Sequence, residues 1–198
     1  MNMRAEDRKT GGKIACVGGM SCDVDSRRWF VMRAYKRERE AEQMLAERGL
    51  EFFVPKHYVV RVYHGVKQRK LVPAIPGLIF VRAGHADITE FKKSYNLLQF
   101  VVWKKATGPE YMVVDDWQMT NFMKVVSHYE EDIAYYRPEE IDFTQGTPVR
   151  ILGGAFDGVE GVFVRVAGRG RKRKLVVRID GLLAVTIEAT PDLVEVIQ

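Results

Sequence analysis

The sequence predicts an α+β N-terminal domain, an antiparallel sheet with flanking helices, followed by a small all-β barrel of five strands. Three observations lead there. Pro73-Ala74-Ile75-Pro76-Gly77 turns into Leu78-Ile79-Phe80-Val81, a run apolar on both faces that reads as a largely buried strand. Amphipathic helical spacings stand on either side of it. Beyond residue 142, β-branched runs alternate with Gly-rich turns and leave little room for helix.

Composition sets the bounds. A chain of 198 residues favours one or two domains, and 46% hydrophobic content supports a packed core. The net charge of +5 leans mildly toward polyanionic partners, although 26 acidic residues dilute it. The two cysteines, Cys16 and Cys22, fit a reducing compartment and give no disulfide framework. Ile14-Ala15-Cys16-Val17 is too short for a signal-peptide core, and no apolar stretch reaches membrane-spanning length. The expectation is a soluble cytoplasmic monomer.

Residues 1–27 mix Gly, Lys, Arg, Asp and Ser without period and read as a disordered or loosely held tail. Trp29 to Tyr35 is strand-like. A helix over Arg37 to Arg48 follows, with Ala41, Met44, Leu45 and Arg48 on one side and Gly49 at the C-cap; Glu38, Glu40 and Glu42 read as its solvated face. Phe52 to Pro55 is a short strand. Tyr58 to Tyr63 and Val66 to Leu71 flank His64-Gly65 as a hairpin. Its Arg61, Lys67, Arg69 and Lys70 suit either contact with phosphate or plain solvation, with solvation favoured.

After the central strand, Gly84 to Thr89 reads as a turn and Ile88 to Ser94 as a short helix. Phe100 to Trp103 is a strand and Gly108-Pro109 a loop. Asp115-Asp116-Trp117-Gln118 has the form of a capping box, and Met119, Phe122, Met123 and Val126 give the next helix one apolar face. Residues 128–142 carry six carboxylates among tyrosines and read as an acidic linker, placing the first domain at 28–127 and the second at 143–198. Five short strands follow: Pro148 to Leu152, Val159 to Val166, Leu175 to Ile179, Ala184 to Ile187 and Leu193 to Ile197.

Catalytic patterns are missing. There is no phosphate loop, no H-E-x-x-H and no C-x-x-C. His57, His64, His85 and His128 lack metal-ligand spacing, and Ser21, Ser26, Ser94 and Ser127 lack a nucleophile elbow. The expectation is a binding protein rather than an enzyme, with no cofactor and no metal.

Two regions carry a family resemblance. Trp29-Phe30-Val31 with the helix after it, Phe53-Val54-Pro55 and Ile75 to Val81 resemble the N-terminal (NGN) domain of NusG-type transcription elongation factors. Gln145-Gly146 through Val149 to Val162, including Gly154, Phe156, Gly158 and Gly161, looks like their C-terminal KOW motif, an SH3-like barrel. Within the family, Leu78 to Arg82, Asp115 to Phe122, Gly158 to Val162 and Asp180 to Val185 are most similar to the UpxY type, antiterminators of capsular polysaccharide operons. The chain departs from housekeeping members at Ile179-Asp180-Gly181-Leu182, where they have an Ile-Phe-Gly-Arg-like segment, and at Gly154-Ala155-Phe156, where they have Gly-Pro-Phe.

The resemblance implies a factor that binds RNA polymerase and promotes processive elongation or antitermination of a capsular or exopolysaccharide operon. Ile75, Leu78 and Phe80 match the apolar depression that docks on the polymerase clamp, expected to stay open in the free molecule. His85 and Thr89 match the contact with the opposite jaw of the cleft. Lys92, Lys93 and Ser94 match the place that meets non-template DNA in the bubble, and Tyr95 suits stacking or the core equally. Arg169, Arg171, Lys172 and Arg173, at a basic hairpin tip, are candidates for nucleic-acid contact or solvation. The KOW domain would bring nascent RNA, the ribosome or another factor. The alternative reading is a KOW-type RNA-binding or ribosome-associated module.

Overall fold

The computed structural model describes residues 27–128, 133–136, 146–165, 173–188 and 194–197. The readings for the 1–26 tail, with Cys16 and Cys22, and for residues 129–132 and 137–142 of the acidic stretch lie outside the described residues.

Strands β1 (Arg28–Arg33) and β5 (Leu78–Ala83) form the middle of a five-stranded sheet. β2 (Glu51–Phe53) pairs with β5 on its outer side, while β6 (Gln99–Phe100) and β9 (Val113–Val114) both pair with β1. All these pairings are antiparallel, and Phe30 lies opposite Val81, Val31 opposite Phe80 and Met32 opposite Ile79. The alternation read from the sequence is therefore the one built. Leu78 and Phe80 join Trp29 and Val31 in one apolar cluster, and Ile79 and Val81 join Phe30 and Met32 in another. The second cluster is closed by Ala41 and Leu45 of α1 (Glu38–Glu47) and by Ile88 and Phe91 of α2 (His85–Tyr95). The first is closed by Met119, Phe122, Val125 and Val126 of α3 (Asp116–Val126).

The prolyl turn ahead of β5 is held from outside. Gly77 sits at φ 76°, a left-handed conformation that other residues adopt only under strain. Its N–H donates to Glu38 Oε1 at 2.6 Å, and its carbonyl accepts from the Ala34 N–H at 2.9 Å. Glu38 thus leaves the solvated face expected of it and ties α1 to the turn. Glu42 likewise pairs with Lys56, at the start of β3 (Lys56–Tyr63). Among the three glutamates, Glu40 keeps a surface role, paired with Arg37.

Three local expectations give way. Helix α2 begins at His85 rather than Ile88, because Asp87 accepts the Gly84 N–H at 3.3 Å and starts the helix a turn earlier. The strand expected over Phe100–Trp103 breaks after β6. Its second part, β7 (Val102–Lys105), pairs with β8 (Gly108–Tyr111) in a hairpin of its own. Pro109 is tolerated there because this two-stranded ribbon consists only of edges. Asp115 occupies the N-cap of α3 but makes no side-chain cap bond; Gln118 donates instead to Asp180, 62 residues away, at 2.8 Å.

The C-terminal sheet contains β10 (Ala134–Tyr136), β11 (Thr147–Ile151), β12 (Glu160–Arg165), β13 (Arg173–Ile179), β14 (Leu183–Glu188) and β15 (Val194–Val196). Their order is β10-β14-β13-β12-β11-β15, antiparallel throughout. Among the described residues the count is six rather than five. The extra strand comes from inside the stretch read as linker: Tyr135 packs on the large cluster and Tyr136 on a smaller one with Val164, Val176 and Ala184. Local acidity hid these aromatic strand formers, whose pairing also covers the otherwise open edge of β14.

Candidate functional site

The predicted docking face is not open. Leu78 and Phe80 are both 0% exposed. Phe122 of α3 lies 5.6 Å from the Phe80 ring and 6.0 Å from that of Phe53, edge-on in the second case. Ile75 alone of the three expected residues keeps accessible surface, at the margin of the cluster. The sequence pattern could not reveal this, because the residues that seal the face lie some forty positions downstream on α3.

Helix α3 also packs on the C-terminal sheet, sharing an apolar cluster with Val149, Val159 and Leu175, and its opposite flank adds polar contacts. Trp117 Nε1 donates to Glu160 Oε2 at 2.9 Å, and the Glu160 N–H donates to Asn121 Oδ1 at 3.0 Å. Lys124 donates to the carbonyl of Asp157, and the His128 ring meets Phe156 edge-on at 4.8 Å. Trp103, on β7, lies against Gly181 so closely that a Cβ there would come within 2.0 Å of the indole. Hydrogen bonds from Arg150 and then from Trp117 hold the Glu160 carboxyl below its ordinary value. Stability from this group is present above the unfolded-state value and is lost as pH falls through the lowered folded value. Glu40 and Glu110 are lowered as well, by Arg37 and Lys105. The difference between the parent and Glu160→Gln in acid thermal denaturation therefore isolates Glu160. The expected result is a shallower loss of stability in the variant below the normal carboxylate range; parallel curves would refute it.

A second surface gathers residues that the sequence assigned to separate roles. His85, in the first turn of α2, stacks on Phe100 at 5.5 Å and on Tyr111 at 5.2 Å, with interplanar angles of 19° and 24°. Phe100 and Tyr111 lie 4.3 Å apart, and Phe30 supports Phe100 edge-on from below at 5.6 Å. Lys92 Nζ stands 4.6 Å over the Phe100 ring. His85 and Tyr111 are exposed, so the stack forms a shelf of π-faces with a cation at its side. Lys93 and Ser94 are exposed beside it, but Ser94 spends its hydroxyl on the carbonyl of Glu90 and Thr89 on that of His85. Tyr95 belongs to the structure rather than the shelf: it packs on Phe91, and its hydroxyl accepts from Arg48 Nε at 3.1 Å.

Comparison with known proteins places the segment that carries both surfaces. The family described as transcription termination factor NusG matches residues 27–123. The match covers 97 of the 198 residues, so similarity to that family lies in this N-terminal segment. A curated NusG relative, the transcription termination/antitermination protein of Borreliella burgdorferi, is 26% identical over 172 residues, covering 79% of this chain and 91% of its own length. A solved structure titled "Domain interaction in Thermotoga maritima NusG" covers 87% of this chain and 98% of its own at 17% identity, with a TM-score of 0.40.

The matched segment stops short of the KOW-like residues, whose geometry is nonetheless clear. Gly154 and Gly158 both sit at φ 74°, in the turn between β11 and β12. Val149 is buried, Phe156 is half-buried, and Gly146 precedes β11. Gly161 is needed for close approach, since a Cβ there would stand 2.5 Å from the Val176 carbonyl oxygen. Arg169, Arg171 and Lys172 lie outside the described residues, as does the side chain of Arg173. Phe100 and Tyr111 escaped the sequence reading. The available signal was the aromatic recurrence of His85, Phe100 and Tyr111, but only pairing through β6 and the β7–β8 hairpin joins them. Among the described residues, no group of three or more His, Cys, Asp or Glu is placed to hold a metal, and no helix is long and apolar enough to cross a membrane.

Proposed function

We propose that this protein is a non-enzymatic transcription elongation and antitermination factor that rides on RNA polymerase and steadies the non-template strand of the bubble. The observation that supports it is the His85–Lys92–Phe100–Tyr111 shelf on the segment similar to the NusG family. Stacking of a base on an aromatic face contributes about 1–3 kcal/mol and tolerates any sequence, and a flanking cation suits the sugar-phosphate backbone. The jaw contact assigned to His85 and the DNA contact assigned to Lys92 then belong to one surface. The Borreliella relative's description as a termination/antitermination protein supports the same reading.

Docking on the polymerase clamp starts at Ile75, the accessible member of the apolar trio, and reaches Leu78 and Phe80 only where α3 gives way. Bridging the two jaws would favour the closed clamp by differential binding, without catalysis. The UpxY-like residues in the α3 and C-terminal segments point to a capsular or exopolysaccharide operon as the target, and the KOW-like sheet to a second docking partner.

The test uses purified core polymerase and a promoter-proximal pause template. The parent chain is expected to be retained on polymerase and to raise readthrough. Ile75→Asp should lose retention, whereas His85→Ala with Tyr111→Ala should keep retention and lose most of the readthrough gain. A parent chain that polymerase does not retain would refute the proposal.

A further inference from the structure

The arm formed by β3 and β4 (Val66–Pro73) has no part in the sites above. It is a two-stranded sheet by itself, paired in register from Lys56 opposite Pro73 to Tyr63 opposite Val66. His64 and Gly65 turn its tip at φ 48° and 78°, the positive pair a tight two-residue hairpin requires. The stem is fixed by the Lys56–Glu42 ion pair and by the Ala74 N–H donating to the Pro55 carbonyl at 2.8 Å. From Val60 to Lys70 every residue is exposed, including Val60, Val62, Tyr63 and Val66 at 60% or more.

Charge distinguishes this arm. It carries Lys56, Arg61, Lys67, Arg69 and Lys70, and no Asp or Glu occurs anywhere between Glu51 and Asp87. These five cations equal the formal +5 of the whole chain, so the rest of the molecule is neutral. Pairing puts Arg69 and Lys67 on one face with Tyr58, Val60 and Val62, and Arg61 and Lys70 on the other with Val59 and Tyr63. Arg69 lies over the Tyr58 ring at 4.3 Å.

We propose that the β3–β4 arm is a ribbon that binds duplex DNA. A two-stranded ribbon is one of the two elements that the B-form major groove admits, whereas the A-form RNA major groove is too narrow. Eight residues per strand reach about 26 Å, or roughly seven to eight base pairs. Cations on both faces fit a ligand with phosphates along two walls; a membrane would meet one face or the tip. The exposed valines are suited to thymine methyl groups on the groove floor.

The experiment measures binding of the full chain to a duplex of about 20 base pairs, longer than the arm's span. Single-stranded DNA of the same length, duplex RNA and anionic phosphatidylserine vesicles serve as comparisons. The expected result is preference for duplex DNA. Arg61→Gln with Lys67→Gln and Lys70→Gln should weaken it tenfold or more at about 100 mM salt and flatten the salt dependence by about 2.7 in log–log slope. Arg61→Lys with Lys67→Arg and Lys70→Arg should retain binding, since phosphate recognition needs charge rather than a particular side chain. His85→Ala with Tyr111→Ala should leave duplex binding intact, which separates this arm from the shelf. Equal binding by parent and Gln variant, loss of binding in the charge-conserving variant, equal loss in the shelf variant, or preference for RNA or vesicles would each overturn the proposal.

Discussion

Phe122→Ala is expected to cost the protein about 3–5 kcal/mol of unfolding free energy, the range for removing a fully buried phenylalanine. The ring is 0% exposed and fills the space between Phe80 and Phe53. Its loss leaves a cavity beneath α3 that Met119 and Val126 cannot fill, because each is already buried in the same cluster. Urea denaturation followed by circular dichroism measures the change, and a loss below about 1 kcal/mol would show that α3 is not what closes this face. Leu78→Asp with Phe80→Asp is a poorer probe of polymerase docking than the sequence suggests. Two unpaired carboxylates in a fully buried position abolish folding rather than docking alone.

Gly161→Ala should be nearly as damaging, for a different reason. The new methyl would meet the Val176 carbonyl oxygen at 2.5 Å and Leu175 Cδ1 at 3.2 Å. The first of these is backbone in the neighbouring strand, so β12 and β13 must separate. Overpacking costs about 1–3 kcal/mol when side chains can adjust, and the upper end applies where a strand has to move. Gly154→Ala is the control: it has a left-handed φ of 74° but nothing within 4 Å of its would-be Cβ. There the cost is strain alone, about 1–2 kcal/mol. Thermal unfolding of the two variants should therefore rank Gly161→Ala well below Gly154→Ala, and the reverse order would contradict the packing argument.

What the sequence disclosed and what it concealed follow from the range of the interactions. The alternation of Leu78 to Val81, the His64-Gly65 hairpin and the apolar face of α3 are written in neighbouring residues, and the fold uses them as read. The second flank of α3 was not legible. Gln118 reads locally as a cap and nothing near Trp117, Asn121 or Lys124 marks a partner, because Glu160, Asp180 and Asp157 lie 33 to 62 residues away. The same distance effect made Leu78 and Phe80 seem available to a partner and hid the union of His85, Phe100 and Tyr111. Glu38 illustrates it at the smallest scale: nothing local indicates that it accepts the N–H of Gly77, 39 positions on.

The strand at Ala134–Tyr136 has a mechanical consequence. Helix α3 ends at Val126 and the strand begins at Ala134, so eight Cα steps separate two pinned points. A fully stretched tether of that length reaches about 28 Å. Even if the contacts of Trp117, Gln118, Asn121 and Lys124 with the C-terminal sheet were released, β10 zipped to β14 would keep that half within this radius of the end of α3. Any errand farther afield first requires those three residues to peel away.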